Sequence, residues 1–486
     1  MPLESSEKDG NCSCVRKLWP GLAILSAGLI FAVPVTPQAA QTAPAAPTAA
    51  QATPSSFQGS VPAGEVSPQP IDLTLDDAIQ RGLKNNLGII LSSNQTAAAR
   101  GQRMSQLQSL LPSVDANFKQ AVAQVDLAAQ GLRIPGFPVI VGPFGYQDIR
   151  ASLDWSLVNV NSLRTYLAAK HNFSAAQLTA QDARDLVVLT VGNAYLLVLA
   201  DEANVASVEA QVGTAKVSLD QAVNSHQAGT APLLDELRAR VDYQTLQQLL
   251  IVAQNSLEKN RLALARTIGL PLAQKFNLAD KAPYAAFDQI DVDTAIKQAH
   301  ANRKDLAAMM EQTRAAEEQR KAATAERYPT LKTDVDYGTI GVNAVHSHGT
   351  INATGTFSVP VFKEFALRGD AEQAQSQLDT QSAQLSDMKA QVEADVRDTL
   401  LDIASAQQQV EVARSSVDLA NEALSEAQQR YAAGVSDNLA VSQAQRSVAE
   451  ANGQYVSSLY RHNVAKLSLA RALGAGENYK SYLGGQ

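Results

Sequence analysis

The sequence predicts a mainly α protein with a smaller membrane β part, its long helical hairpins duplicated within one chain. Three observations lead there. Val396, Ile403, Val410, Val417, Leu424 and Tyr431 recur every seven residues, beside a seam of Val392, Thr399, Ala406, Ala413, Ala420 and Ala427. Adding 217 to Ala78, Asn85, Arg103 and Pro112 gives Ala295, Asn302, Arg320 and Pro329, and adding 205 to Gly229 and Gly269 gives Gly434 and Gly474, so the first half repeats in the second. Between the helical blocks of each half, segments of about ten residues alternate apolar with polar, as half-buried strands do.

Residues 1–40 read as a secretory signal: Arg16 and Lys17 precede an apolar run from Leu18 to Val35 that is interrupted by Gly and Pro. Cys12 and Cys14 would leave with it, so the mature chain has no cysteine and no disulfide or thiolate metal site is expected. Residues 41–70, rich in Ala, Pro, Gln, Ser and Thr, predict a disordered or extended leader. The first repeat is expected over 71–285, the second over 286–474, and a C-terminal tail over 475–486.

Each repeat opens with a helix. Thr74 followed by Asp76 and Asp77 is an N-terminal signal, and the helical pattern runs, with polar breaks around Asn85-Asn86, to Leu111, where Pro112 ends it. Four strands are expected. Ile149, Ala151, Leu153, Trp155 and Leu157 share a face opposite Asp148, Arg150, Ser152, Asp154 and Ser156, and Val114 to Val122 forms the partner strand. Leu331 to Tyr337 and Ile351 to Val361 do the same in the second repeat. Ten residues with one apolar and one charged face match the strands of outer-membrane barrels. Phe118, Trp155 and Phe357 are read as an aromatic girdle at the helix-proximal ends of those strands. Four strands close no useful pore, and open edges have no place in lipid, so an oligomer follows.

From about Ser162 to His226, Val191, Val198, Val205, Val212 and Leu219 repeat the heptad, which predicts a helix on the order of 100 Å long. A strict period of seven implies a left-handed supercoil, and Gly229 and Gly434 mark the turns where each long helix ends.

A net charge of −8 without a basic patch excludes nucleic-acid binding. No Gly-x-Ser-x-Gly, phosphate-binding loop or His-Glu-x-x-His is present, so neither an enzyme nor a cofactor is expected. His346-x-His348 lacks a third ligand, and no metal is expected there.

The duplicated order of helix, two strands, long helix, Gly turn and return helix resembles the TolC-type outer-membrane efflux protein family, over Leu73 to Leu473. Val359-Pro-Val-Phe362 followed by Leu367-Arg368 resembles the family's exit from its last strand, and Tyr431-Ala-Ala-Gly434 its periplasmic turn. The resemblance implies a homotrimer in outer-membrane lipid, with a twelve-stranded β-barrel above a periplasmic α-barrel. It implies passive conduction of small toxic compounds delivered by an inner-membrane transporter and a periplasmic adaptor. An exit duct for type I protein secretion and a non-channel periplasmic coiled-coil adaptor are the rival readings. The tunnel would close at the turns, where Asp235 matches an acidic position of the family; Ala440 stands at the second-repeat equivalent, with Asp437 nearby as a partial substitute. His226, Gly229 and Thr230, with Tyr431, Gly434 and Val435, are the expected adaptor contacts.

Overall fold

The computed structural model describes residues 54–129, 131–132, 135–280, 284–287, 290–343, 345–436 and 438–483. The expected signal at 1–40 lies outside them. In chain order, β1 (Ile71–Leu73), α1 (Leu75–Asn85), α2 (Leu87–Gln108), β2 (Ser113–Asp126), β3 (Ile140–Val158), α3 (Val160–Gln227) and α4 (Leu233–Ile268) make the first repeat. The second consists of β4 (Phe276–Leu278), α5 (Val292–Asn302), α6 (Lys304–Ala325), β5 (Thr330–Gly341), β6 (Ser347–Ser358), α7 (Glu364–Ala432) and α8 (Asn438–Ala472). A short helix, α9 (Tyr479–Leu483), follows.

Thr74 caps α1 as its sequence suggests: Asp77 N–H donates to Thr74 Oγ1 at 3.1 Å, and Asp77 Oδ2 accepts from Thr74 N–H at 3.4 Å. The polar break read around Asn85-Asn86 ends α1 outright, at Asn86, which is extended at φ −66°, ψ 133°. Its side-chain oxygen accepts from Gly88 N–H at 2.9 Å and starts α2 as a new cap. Adding 217 to 86 gives Arg303, extended at φ −63°, ψ 123°, so the break belongs to the repeat. There the guanidinium donates to Asp305 at 2.6 Å and Asp395 at 2.7 Å.

Burial is densest midway along the long helices. Val187, Val191 and Val198 of α3 pack with Leu73, Ile79, Leu264 and Ile268, and Leu467 of α8 joins them. Val392, Val396 and Ile403 of α7 pack with Ala295, Leu306 and Leu469 in a second cluster. This explains the length of apolar α3 sequence sufficient by composition to cross a membrane: it is core. The expected tail contributes too, with Leu483 buried in the first cluster and Tyr479 donating to Asp76 at 2.8 Å. Nor is the leader without order from residue 54 on. Phe57 packs on the core, Asn86 Nδ2 donates to Phe57 O at 2.7 Å, and Ala63 N–H donates to Gly269 O at 2.9 Å. Phe57 supplies the apolar anchor, and backbone donors missing from a composition count do the rest.

The heptads weaken away from this middle. Val191, Val198, Val396, Ile403 and Val410 are buried, whereas Val205, Val212, Val417 and Leu424 are half-buried. At the far end, Gly229 and Gly434 take φ +70° and +71°, and matching bonds close both helices: Thr230 N–H to Ser225 O at 2.9 Å, Val435 N–H to Arg430 O at 3.0 Å.

The other end is a four-stranded antiparallel sheet in the order β2-β3-β5-β6. The strands are longer than expected, and β3 begins at Ile140, so the first outer connection shortens to 127–139.

Candidate functional site

The expected site residues fall in two regions: the wall of the sheet and the paired helical turns. The register settles the sides of the sheet, because residues directly opposite in an antiparallel pair share a face. Val114, Phe118 and Val122 of β2 lie with Ile149, Leu153 and Trp155 of β3, with Val335 and Tyr337 of β5, and with Ile351 and Phe357 of β6. That face carries no charge, and among the described residues no helix covers it; Val122 and Ile351 are 76% and 71% exposed. The opposite face holds Asp115, Lys119, Asp148, Arg150, Asp154, Lys332, Asp334 and Asp336. Arg150 binds Asp336 across the sheet and Asp148 along its own strand at 3.3 Å. A bare apolar face backed by five carboxylates and three cations suits lipid outside and water inside.

The girdle needs correcting. Trp155 stands opposite Thr333 and Phe357 opposite Leu331, both near the helix end of the sheet. Phe118 pairs with Ile149, six residues up β3 from Trp155, which is roughly 20 Å at 3.4 Å per residue. Its position within β2 placed it too low, because β3 runs several residues beyond β2 at the helix end. Phe362, just before α7, and Phe365, in its first turn, are 92% and 86% exposed. Alternation could not flag them, since they follow the last strand.

At the turns, Asp235 sits in the first turn of α4 but does not point into open solvent. It is 7% exposed, with Arg238 Nη1 at 3.8 Å, and its carbonyl accepts from the buried Asn438 Nδ2 of the other hairpin at 3.4 Å. Tyr431 lies close by: burial first, then the charge of Asp235, holds its phenol above the ordinary value. Further along the same seam, Gln445 donates to Ser218 at 2.8 Å and Arg446 to Asp242 at 2.7 Å. A cavity of about 730 Å³ between the tips is lined by Ser218, Asp235, Gln429, Tyr431 and Asn438. The tips are therefore joined by polar contacts across water-accessible space, while the middle is joined by apolar core. Exposed ion pairs contribute at most about 1 kcal/mol, so this seam is the weak end of the molecule.

His226 folds back on its own turn, with Nδ1 3.3 Å from Ala231 O. Val435 is 71% exposed, and the space around Gly229 and Gly434 is open. Asp437, the second expected aperture residue, lies outside the described residues. Asn438 and Arg446 were not singled out by sequence reasoning. Their signal was their spacing from Asp235 and Asp242, 203 and 204 residues, close to the 205-residue offset between hairpins.

Comparison with known proteins agrees with this geometry. Residues 295–475 match the family model of outer membrane efflux proteins. The toluene efflux pump outer membrane protein TtgC of Pseudomonas putida is 24% identical over 420 residues, covering 83% of this chain and 84% of the relative. The CmeC outer membrane channel of Campylobacter jejuni shares the fold at TM-score 0.74 and 17% identity, covering 88% of this chain and 95% of that one. The open state of the Neisseria gonorrhoeae MtrE channel aligns at TM-score 0.71 and 18% identity, over 85% and 94% of the two chains. Residues 295–475 thus match the outer membrane efflux proteins, and the chain is similar to their channel components in sequence and fold, which sets it in the outer membrane and reaching into the periplasm.

Proposed function

We propose that three copies of this chain close a twelve-stranded barrel over a helical tunnel and passively conduct small toxic compounds out of the cell. The observation that carries the proposal is the sheet itself. Strands β2 and β6 are unpaired edges among the described residues, and a bare apolar face lies between them. In lipid such edges must be paired, and pairing β6 of one copy with β2 of the next does so without remainder. The helices support the same closure: Leu401, Val412 and Leu419 on α7 and Leu234, Val241 and Val252 on α4 are exposed at helical spacing, as seams between copies require. Cargo and energy would come from an inner-membrane pump through a periplasmic adaptor seated on the turns at Gly229, Thr230, Gly434 and Val435. The name of the toluene pump component favours small apolar toxins over secreted polypeptides.

Unheated electrophoresis after detergent extraction tests the assembly. A heat-modifiable trimer that conducts in planar bilayers is expected; a monomer leaving the envelope in salt alone would return the chain to the adaptor reading.

The polar seam is the gate in this proposal. Asn438→Ala and Arg446→Ala should each raise single-channel conductance, by removing a side-chain contact between one hairpin tip and the other. Asp235→Ala keeps the backbone carbonyl that Asn438 binds and should instead weaken block by multivalent cations, since it removes a carboxylate from the tip. Wild-type conductance in both Asn438→Ala and Arg446→Ala would place the constriction elsewhere.

A further inference from the structure

The first hairpin of the sheet rises above the second. The β5–β6 pair ends at Gly341 opposite Ser347, and Gly341 is level with Gln147 of β3. Residues 140–146 of β3 and 121–126 of β2 continue beyond that rung on the side away from the helices. Phe144 and Tyr146 fall on the charged face of β3, in step with Asp148, Arg150 and Asp154, so they line the lumen and not the lipid. Their partners on β2 are Ala123 and Ala121, which leave both rings uncovered from across the pair. The ring centroids are 6.4 Å apart and tilted by 38°, and Lys119 Nζ lies 5.9 Å from the Tyr146 ring.

The charges beside these rings leave one cation over. Lys119 stands opposite Asp148, but that carboxylate is engaged by Arg150, which also holds Asp336. Among the described contacts Lys119 pairs with no carboxylate. Ile340 and His348 complete its rung across β5 and β6. Two uncovered rings with one unengaged ammonium beside them form a recognition surface for a flat ring that carries a negative group.

We propose that Phe144, Tyr146 and Lys119 form a binding site for aromatic anions near the outer mouth of the lumen. The proposal rests on the channel reading above. The rings stack on the solute's aromatic part, and Lys119 takes its carboxylate or sulfonate. Lower on the same face, Asp115, Asp154 and Asp334 repel anions, so the dwell point lies near the mouth and not deeper.

The test is current block in a planar bilayer at pH 8, with naphthalene-2-sulfonate added on the outer side of the assembled channel. Methanesulfonate and 2-naphthylmethylammonium are the controls. Naphthalene-2-sulfonate is expected to block, with dwell times shortened roughly threefold to fivefold in Lys119→Gln and in Tyr146→Ala, and both controls should block weakly. Conductance of each variant reports that it has folded and assembled. Equal block by methanesulfonate, or unchanged dwell times in both variants, overturns the site and leaves the channel standing. Absence of any conductance in the wild-type protein overturns the channel and the site together.

Discussion

Gly474→Val is expected to prevent assembly, while Gly434→Ala should leave a folded protein slightly less stable. Both glycines have nearly the same backbone, φ +69° and +71°, and both end a helix. An L-residue there costs about 1–2 kcal/mol from the clash between Cβ and carbonyl, and this is the whole penalty at Gly434, where a Cβ would meet nothing within 4 Å. At Gly474 the Cβ would lie 2.7 Å from Arg303 N and Asn302 C, in the break between α5 and α6. Those atoms are backbone and cannot swing aside, so overpacking adds roughly 1–3 kcal/mol even for alanine and more for valine. Gly269 meets Asn85 and Val61 in the same way in the first repeat. Thermal unfolding followed by circular dichroism, together with the yield of heat-modifiable trimer, checks the contrast. Similar losses for Gly434→Ala and Gly474→Ala would mean that backbone dihedral alone matters at both places.

That contrast also shows what the sequence could and could not disclose. The offset from Gly269 to Gly474 was visible as a repeat, and glycine at a helix end needs no structure to be recognised. The partner of each glycine is the break at Asn86 or Arg303, and these look different as residues. One caps through its amide, the other ties two carboxylates, so the polar break legible at Asn85-Asn86 had no legible counterpart at Arg303. Long helices, turns and strand faces were legible because a period of seven or two repeats its own evidence many times over. Strand levels were not. A one-dimensional pattern says which way Phe118 faces but nothing about the stagger of β2 against β3, and that stagger moved it out of the girdle. The polar seam near the turns was half legible: Asp235 stood out as a charge, but its burial and its contact with Asn438 depend on the approach of a second hairpin two hundred residues away.

The middle of the molecule should hide two opposing proton equilibria that single substitutions would expose. Asp182 of α3 is buried against Arg471 Nη2 at 2.6 Å, with Asp305, Asp185 and Arg303 around it. Desolvation pushes its carboxyl up to about 6, against the pull of Arg471. His462 of α8 is wholly buried, its ring 5.5 Å from that of Tyr284 and tilted to it by 43°, with Lys466 a turn away; desolvation, reinforced by that ammonium, lowers it to about 4. A carboxyl raised on folding binds its proton more tightly in the folded state, so its share of stability is present at low pH and is lost as pH rises from about 4 to 6. An imidazole lowered on folding does the reverse: its share is present above pH 6.5 and is lost as pH falls toward 4. Between pH 7 and 4.5 each is worth roughly 2–3 kcal/mol per chain, in opposite directions. The wild-type protein is therefore expected to show little net dependence from this pair. Asp182→Asn should lose stability on acidification relative to wild type. His462→Leu should gain, and leucine is the natural replacement because Leu257, 205 residues earlier, fills the equivalent buried position. Unfolding of the solubilised trimer at pH 7 and pH 4.5 reads the difference directly. Groups common to all three proteins cancel, and parallel shifts in wild type and both variants would show that neither residue titrates in this range.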